Sequence, residues 1–158
     1  MKKICMIALS GFFIITLAHA SADAQISPLQ PPALGVTNPW TDSQLMEPAA
    51  LATILKGAGS NNPLIFNIGA VEDIKGAKHI GAVSKAQNLQ KFKNAVTALP
   101  RNTSIVIYCG CCPFAKCPNI RPAFLELKKM GFANIKVLNL PTNLQTDWIA
   151  RGYPLAGS

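Results

Sequence analysis

Residues 104–108 read SIVIY, and Cys109 follows them directly. Ile105, Val106 and Ile107 follow one another without a polar residue between them. A strand with one face in water alternates apolar and polar residues, whereas a strand buried on both faces of a parallel sheet is continuously apolar. The run therefore predicts a central strand of a parallel sheet, with Cys109 at its carboxyl end.

The segments on either side of this strand alternate between strand-like and helix-like patterns. The expected strands are residues 63–68, 78–83, 104–108 and 134–140, and the expected helices are residues 47–55, 88–99, 121–130 and 147–151. Alternation of this kind is typical of α/β folds. We expect a single three-layer α/β/α domain with a mostly parallel central sheet.

The N-terminus has the three-part pattern of a secretory signal peptide over residues 1–24. A retained membrane anchor is the alternative, but the apolar run is shorter than the ~20 residues that a membrane-spanning helix needs. We expect cleavage to remove Cys5, then a Pro-rich irregular lead-in over residues 25–41 and one domain over residues 42–158. The expected location is the periplasm or the cell exterior, where disulfides persist, without a stable membrane anchor.

The chain is basic, with a formal net charge of +8 at pH 7. Its lysines are scattered and are not interleaved with aromatic residues, so nucleic acid is not an expected partner. A positive field still attracts small anions. We expect a monomer with no resident metal or cofactor.

The chemistry is concentrated in residues 108–122, YCGCCPFAKCPNIRP. Cys109 lies where a loop connects the central strand to a helix. Backbone N–H groups and the positive helix N-terminus favour an anion at such a position, so we expect a lowered thiol pKa and a nucleophilic Cys109.

Supporting groups for Cys109 follow in the same loop. Gly110, Cys111 and Cys112 supply three consecutive backbone N–H groups. Arg121 and Lys116 are the available cations, and Arg121 is preferred because it lies near the expected helix start. The alternative for Arg121 is an ordinary surface charge.

The order of these motifs resembles a rhodanese domain over roughly residues 42–157. The matching segments are the strand before Tyr108-Cys109, His79-Ile80-Gly81-Ala82, Gly131-Phe132, and Trp148 with Gly152-Tyr153-Pro154. The resemblance implies that Cys109 takes a sulfane sulfur from a small anionic donor such as thiosulfate. Cys109 would hold this sulfur as a persulfide and pass it to a thiol or another thiophilic acceptor.

Three features depart from the rhodanese pattern. The Asp-x-Arg motif of that family is here Asn67-Ile68-Gly69, so both charges are missing. The loop is enlarged, and its three prolines lack an N–H. The Cys-x5-Arg loop of cysteine phosphatases, which share the fold, is absent in every register, so phosphate-ester chemistry is not expected.

The additional cysteines leave several interpretations open. Zinc usually uses separated C-x2-C pairs, although a contiguous soft cluster suits Cu(I). A disulfide between Cys117 and either Cys111 or Cys112 would close the loop. A free neighbour of Cys109 would instead resolve its persulfide, which makes a thiol–disulfide or persulfide relay the main alternative function. A non-catalytic module that binds a metal or a partner is the third.

The remaining chemistry-bearing residues have structural interpretations. We expect His79 to form a structural hydrogen bond rather than act as a base. Trp40 and Trp148 are expected in the core, and Glu72 and Asp73 in a solvated loop.

Overall fold

A computed structural model describes residues 37–57 and 62–157. Within these ranges the strands are β1 (Leu45–Met46), β2 (Leu64–Asn67), β3 (Ala77–His79), β4 (Ile105–Tyr108) and β5 (Ile135–Leu138). The α-helices are α1 (Pro48–Lys56), α2 (Ala86–Thr97), α3 (Ile120–Lys129) and α4 (Leu144–Asp147). Strands and helices therefore alternate along most of the domain.

The strands form one parallel sheet in the order β1-β5-β4-β2-β3. β4 lies at the centre, where Ile105 pairs with Leu64 of β2 on one side and with Ile135 of β5 on the other. All four β4 residues have no exposed surface. The prediction of a central strand buried on both faces is confirmed.

Alternate side chains of β4 enter the two halves of the core. Ile105 and Ile107 pack with buried residues of α2 and α3, whereas Val106 and Tyr108 pack with α1, α4 and Trp148. Helices thus cover both faces of the sheet, and the domain has three layers. The expected α/β/α fold class is confirmed.

Each predicted element has a counterpart whose boundaries differ by a few residues. The sequence does not predict β1, because two residues are too few to show a periodicity. The helix expected over residues 147–151 is instead α4 followed by a 3₁₀ turn, Ile149–Arg151, with Trp148 fully buried between them. The core positions expected for Trp40 and Trp148 are confirmed.

The segment before β1 packs on the domain. Trp40 is 8% exposed, and its ring lies 5.7 Å from that of Phe124 and 6.0 Å from that of Phe114. The expected signal peptide and residues 25–36 of the lead-in lie outside the described ranges. Among the described residues, no helix combines the length and the apolar character that a bilayer crossing needs.

Replacing Phe124 by Ala is expected to lower the free energy of unfolding by about 3–5 kcal/mol, the usual cost of this change in a core. The matched control is Leu125→Ala on the same helix, because Leu125 is 48% exposed. That change should stay within about 0.5 kcal/mol. Urea unfolding followed by tryptophan fluorescence measures both variants, and equal losses would contradict the buried face assigned to α3.

Candidate functional site

The site forms where the loop after β2 meets the end of β4. A Cβ atom at Gly69 would lie 2.2 Å from the carbonyl oxygen of Cys109 and 2.9 Å from its sulfur. Only glycine permits this approach, so Gly69 cannot be replaced by the arginine of an Asp-x-Arg motif without moving the loop. The backbone itself closes one side of the cysteine site.

The Cys109 sulfur is enclosed by polar groups. The residue is 1% exposed, and Asn119 Nδ2 donates a hydrogen bond to its Sγ at 3.2 Å. The backbone N–H of Cys111 also acts to lower the pKa of this thiol. Cys111 Sγ lies 3.2 Å from Cys109 Sγ. The expected contribution of a loop N–H group is therefore present for Cys111.

Cys117, rather than Cys109, carries the favourable environment for a thiolate. The Cys109 thiol donates to the Cys117 sulfur, and the backbone N–H groups of Asn119 and Ile120, at the start of α3, donate to it as well. These contacts outweigh burial and lower the pKa of Cys117 to about 5. The helix N-terminus expected at Cys109 is thus directed at Cys117.

The expected lowering of the Cys109 pKa is wrong. The hydrogen bond that its thiol donates to Cys117 raises the Cys109 pKa, and burial raises it further. These opposite pKa directions favour the proton on Cys109 and the negative charge on Cys117. Since the two sulfurs lie within 4.8 Å of each other, Cys117 is placed to take up the proton when Cys109 reacts.

The two remaining cysteines lie nearer the surface. Cys111 is exposed, and its sulfur lies 3.5 Å from that of Cys112, which is half-buried. Burial, followed by the hydrogen bond with Cys111, raises the pKa of Cys112 to about 12. None of the four loop cysteines forms a disulfide in this structure. The pairing of Cys117 with Cys111 or Cys112 stays a prediction.

The enlarged loop is held by backbone contacts. Phe114 N–H donates to Leu140 O at 3.1 Å, and a 3₁₀ turn, Phe114–Lys116, leads into Cys117. Gly110 accepts a hydrogen bond from Leu144 N–H at 2.8 Å and has a φ of 74°. Its contribution is this left-handed turn, which a residue with a Cβ adopts only with strain.

Arg121 does not fulfil the role expected for it. Its guanidinium donates to Thr37 O at 3.0 Å and to Asn38 Oδ1 at 3.4 Å, and it lies 6.0 Å from the ring of Trp40. Arg121 therefore holds the segment before β1 instead of facing the sulfurs. Lys116 is exposed on the 3₁₀ turn.

Asn119 is the site residue that the sequence does not reveal. Asparagine before a helix is typical of an N-cap, but its side chain makes no capping bond here. It is 4% exposed, and it accepts from Ser84 N–H at 2.8 Å while it donates to Cys109. The only signal in the sequence is its position two residues after Cys117.

Asn67 forms the second polar centre of the site. It is fully buried, and its Nδ2 donates to Val71 O and to Asp73 Oδ1, both at 2.8 Å. His79 Nδ1 lies 3.0 Å from the same Asp73 oxygen, in agreement with its structural interpretation. Asp73, whose side chain is 30% exposed, is therefore a hydrogen-bond partner in addition to lying in the loop that we expected. Glu72 is exposed, as expected.

A scan against family models finds no match for this chain. A search of curated proteins likewise finds no match. The site is therefore interpreted from its own geometry.

Replacing Asn67 by Asp is expected to destabilise the protein by at least about 1–3 kcal/mol, the cost of leaving buried polar groups unsatisfied. The new carboxylate has no N–H to donate, and it would face Asp73 and the Val71 carbonyl. Asn94→Asp, on the exposed side of α2, is the matched control. Urea unfolding at pH 7 measures both, and an unchanged Asn67→Asp protein would contradict this network.

The thiolate absorbance in the ultraviolet should show one group that titrates with a midpoint near pH 5, because Cys117 is deprotonated above that pH. Cys117→Ser should abolish this transition, and Cys109→Ala should move it to higher pH by removing a hydrogen bond. Cys111→Ser is the control that keeps the midpoint. A first midpoint near ~8.5, the ordinary thiol pKa, would contradict the assignment.

Proposed function

We propose that this protein is an exported, rhodanese-like sulfurtransferase that carries a sulfane sulfur as a persulfide on Cys109. The observation that carries the proposal is the placement of the Cys109 sulfur. It lies at the carboxyl end of the central parallel strand, where sites form in such folds. It also accepts from Asn119 Nδ2 at 3.2 Å. Asn119 and the Cys111 backbone act to lower the pKa of this thiol, against the larger raising by Cys117 and burial, so they would stabilise negative charge once Cys109 has lost its proton.

Export is the part of the proposal that rests on residues 1–24, whose pattern is that of a secretory signal peptide. Disulfides form and persist in an oxidising compartment, so the thiol cluster would need a partner that reduces it or loads it with sulfur. A thiol or another thiophilic acceptor is therefore the expected partner of the protein.

Loading begins with a proton transfer from Cys109 to Cys117. The Cys109 thiolate then attacks the sulfane sulfur of thiosulfate. A new S–S bond forms on Cys109, the S–S bond of thiosulfate breaks, and sulfite leaves with the electron pair. The net charge of +8 favours approach of this dianion.

Delivery is a second displacement at the same sulfur, which is again the electrophile. An acceptor thiolate attacks the outer sulfur of the persulfide and takes it, and Cys109 leaves as a thiolate. The proton held by Cys117 can then return to Cys109. These steps need no metal. Cys117 takes up the proton that Cys109 loses, and hydrogen-bond donors around Cys109 stabilise the negative charge on its sulfur.

A specific contact favours a second function, the thiol relay. Cys111 Sγ lies 3.2 Å from Cys109 Sγ and is the exposed member of the pair. The Cys111 thiol can attack the inner sulfur of a Cys109 persulfide, which forms a Cys109–Cys111 disulfide and releases hydrogen sulfide. An external dithiol would then have to reduce this disulfide before the next cycle.

Thiosulfate distinguishes the two functions when it is offered to the full chain carrying Cys5→Ser. A sulfurtransferase is expected to release one sulfite per chain and to gain one sulfur, about 32 Da by intact mass. A relay releases sulfide as well and ends 2 Da lighter than the reduced protein. Cys109→Ser should abolish both outcomes.

Cys111→Ser sharpens the test, because it should accumulate the persulfide if Cys111 is the resolving thiol. Cys112→Ser is the matched comparison, and accumulation there instead would assign the resolving role to Cys112. The parent Cys5→Ser protein sets the reference. A sulfur adduct that survives Cys109→Ser would contradict the proposed function.

A further inference from the structure

Three of the loop sulfurs form a compact group, which we call the three-sulfur cluster: Cys109, Cys111 and Cys117. Their Sγ atoms all lie within 4.8 Å of one another, and those of Cys109 and Cys111 are 3.2 Å apart. Cys112 contacts Cys111 at 3.5 Å but is not a member of the group. The fold therefore divides four cysteines into a set of three and one neighbour.

The size of the three-sulfur cluster fits a three-coordinate metal ion. Three metal–thiolate bonds of about 2.3 Å, arranged in a plane, place the sulfurs about 4 Å from one another. The Cys109–Cys111 separation of 3.2 Å is shorter than this value, and no separation within the cluster exceeds 4.8 Å, so small rotations of the side chains are sufficient. The backbone of the loop would not have to refold around the ion.

The ligand set decides which metal suits the cluster. Zinc in structural sites takes four ligands in a tetrahedron. In the part of the chain that the structure describes, no histidine or carboxylate joins the group. Soft thiolates suit Cu(I) as well as zinc and iron–sulfur clusters, and the set of three ligands, one fewer than structural zinc takes, favours Cu(I).

The surroundings of the cluster suit a buried anionic complex. Cys109 and Cys117 are 1% and 5% exposed, so water is largely excluded, whereas Cys111 is exposed and offers the route of entry. Asn119 Nδ2 donates to the Cys109 sulfur. The N–H groups at the start of α3 donate to the Cys117 sulfur. Donors of this kind stabilise metal-bound thiolates.

We propose that Cys109, Cys111 and Cys117 bind one Cu(I) ion as a three-thiolate site, with Cys112 outside the ligand set. Binding changes no oxidation state, since copper enters as Cu(I). Three metal–sulfur bonds form, and every proton that the three sulfurs still carry is released to solvent. The site departs from the expectation, based on sequence, that the protein holds no metal.

This proposal goes beyond sulfur transfer and does not depend on it. Cu(I) and a persulfide are competing occupants, because both use the Cys109 sulfur. Copper-loaded protein should therefore release no sulfite from thiosulfate, and removal of copper should restore whatever reaction the empty protein has. Failure of sulfur transfer in copper-free protein would leave copper binding intact, so the two proposals fail separately.

The test is an anaerobic competition in which the full chain carrying Cys5→Ser removes Cu(I) from its coloured complex with bicinchoninate. We expect one Cu(I) per chain. Cys109→Ser, Cys111→Ser and Cys117→Ser should each weaken binding by more than about 100-fold, beyond the loss expected for a residue that only supports a ligand. Cys112→Ser should bind as the parent does.

Copper K-edge X-ray absorption of the loaded parent protein provides a measurement that needs no variant to fold. Three sulfur neighbours at about the 2.3 Å typical of metal–thiolate bonds are expected. Two or four sulfur neighbours would overturn the three-thiolate site. Equal loss of affinity in Cys112→Ser, unchanged affinity in Cys111→Ser, or preferential binding of Zn(II) would overturn it as well.

Discussion

The structure depends on the burial of β4 between two parallel neighbours. β2 and β5 pair with it on either side, and helices cover both of its faces, so all four of its side chains are removed from water. The same strand delivers its last residues to the site. Tyr108 accepts from Ile74 N–H at 2.9 Å and donates to Glu72 O at 3.1 Å, which fixes the loop beside Cys109. Core packing and site geometry are therefore set by one strand.

Asn67-Ile68-Gly69 carries no charged side chain, and the fold supplies a physical reason. The backbone of Cys109 occupies the space that a side chain on Gly69 would need. Asn67 donates a hydrogen bond through an amide N–H, which an aspartate does not possess. The loop after β2 is thus held by one neutral hydrogen bond to Val71 O and by one bond to the Asp73 carboxylate. Arg121 is engaged by Thr37 and Asn38. Among the described residues, neither position 69 nor position 121 therefore brings an arginine to the sulfurs. Negative charge in the cluster is stabilised by N–H groups and by other thiols.

The loop after β4 distributes roles among the thiols. The 3₁₀ turn Phe114–Lys116 brings Cys117 to the start of α3, so the N–H groups there act on Cys117, and Cys109 is its hydrogen-bond donor. A pair of sulfurs that share a proton can transfer it without a histidine. The same closeness lets a third sulfur, on Cys111, either resolve a persulfide or complete a metal site. The proposed sulfur transfer, relay and copper binding would thus compete for one group of sulfurs.

The sequence by itself determined the layer architecture, the central strand and the position of Cys109, because apolar periodicity and strand–helix order are local signals. It also indicated that the loop carries the chemistry. Only the tertiary structure decided which sulfurs meet, where the helix N-terminus points, and that Asn119, Asn67 and Asp73 belong to the site. These depend on contacts between β2, β4 and the start of α3, segments that are distant along the chain. A hydrogen bond between such distant segments produces no periodic pattern in the sequence, so only the tertiary structure identifies its donor and its acceptor.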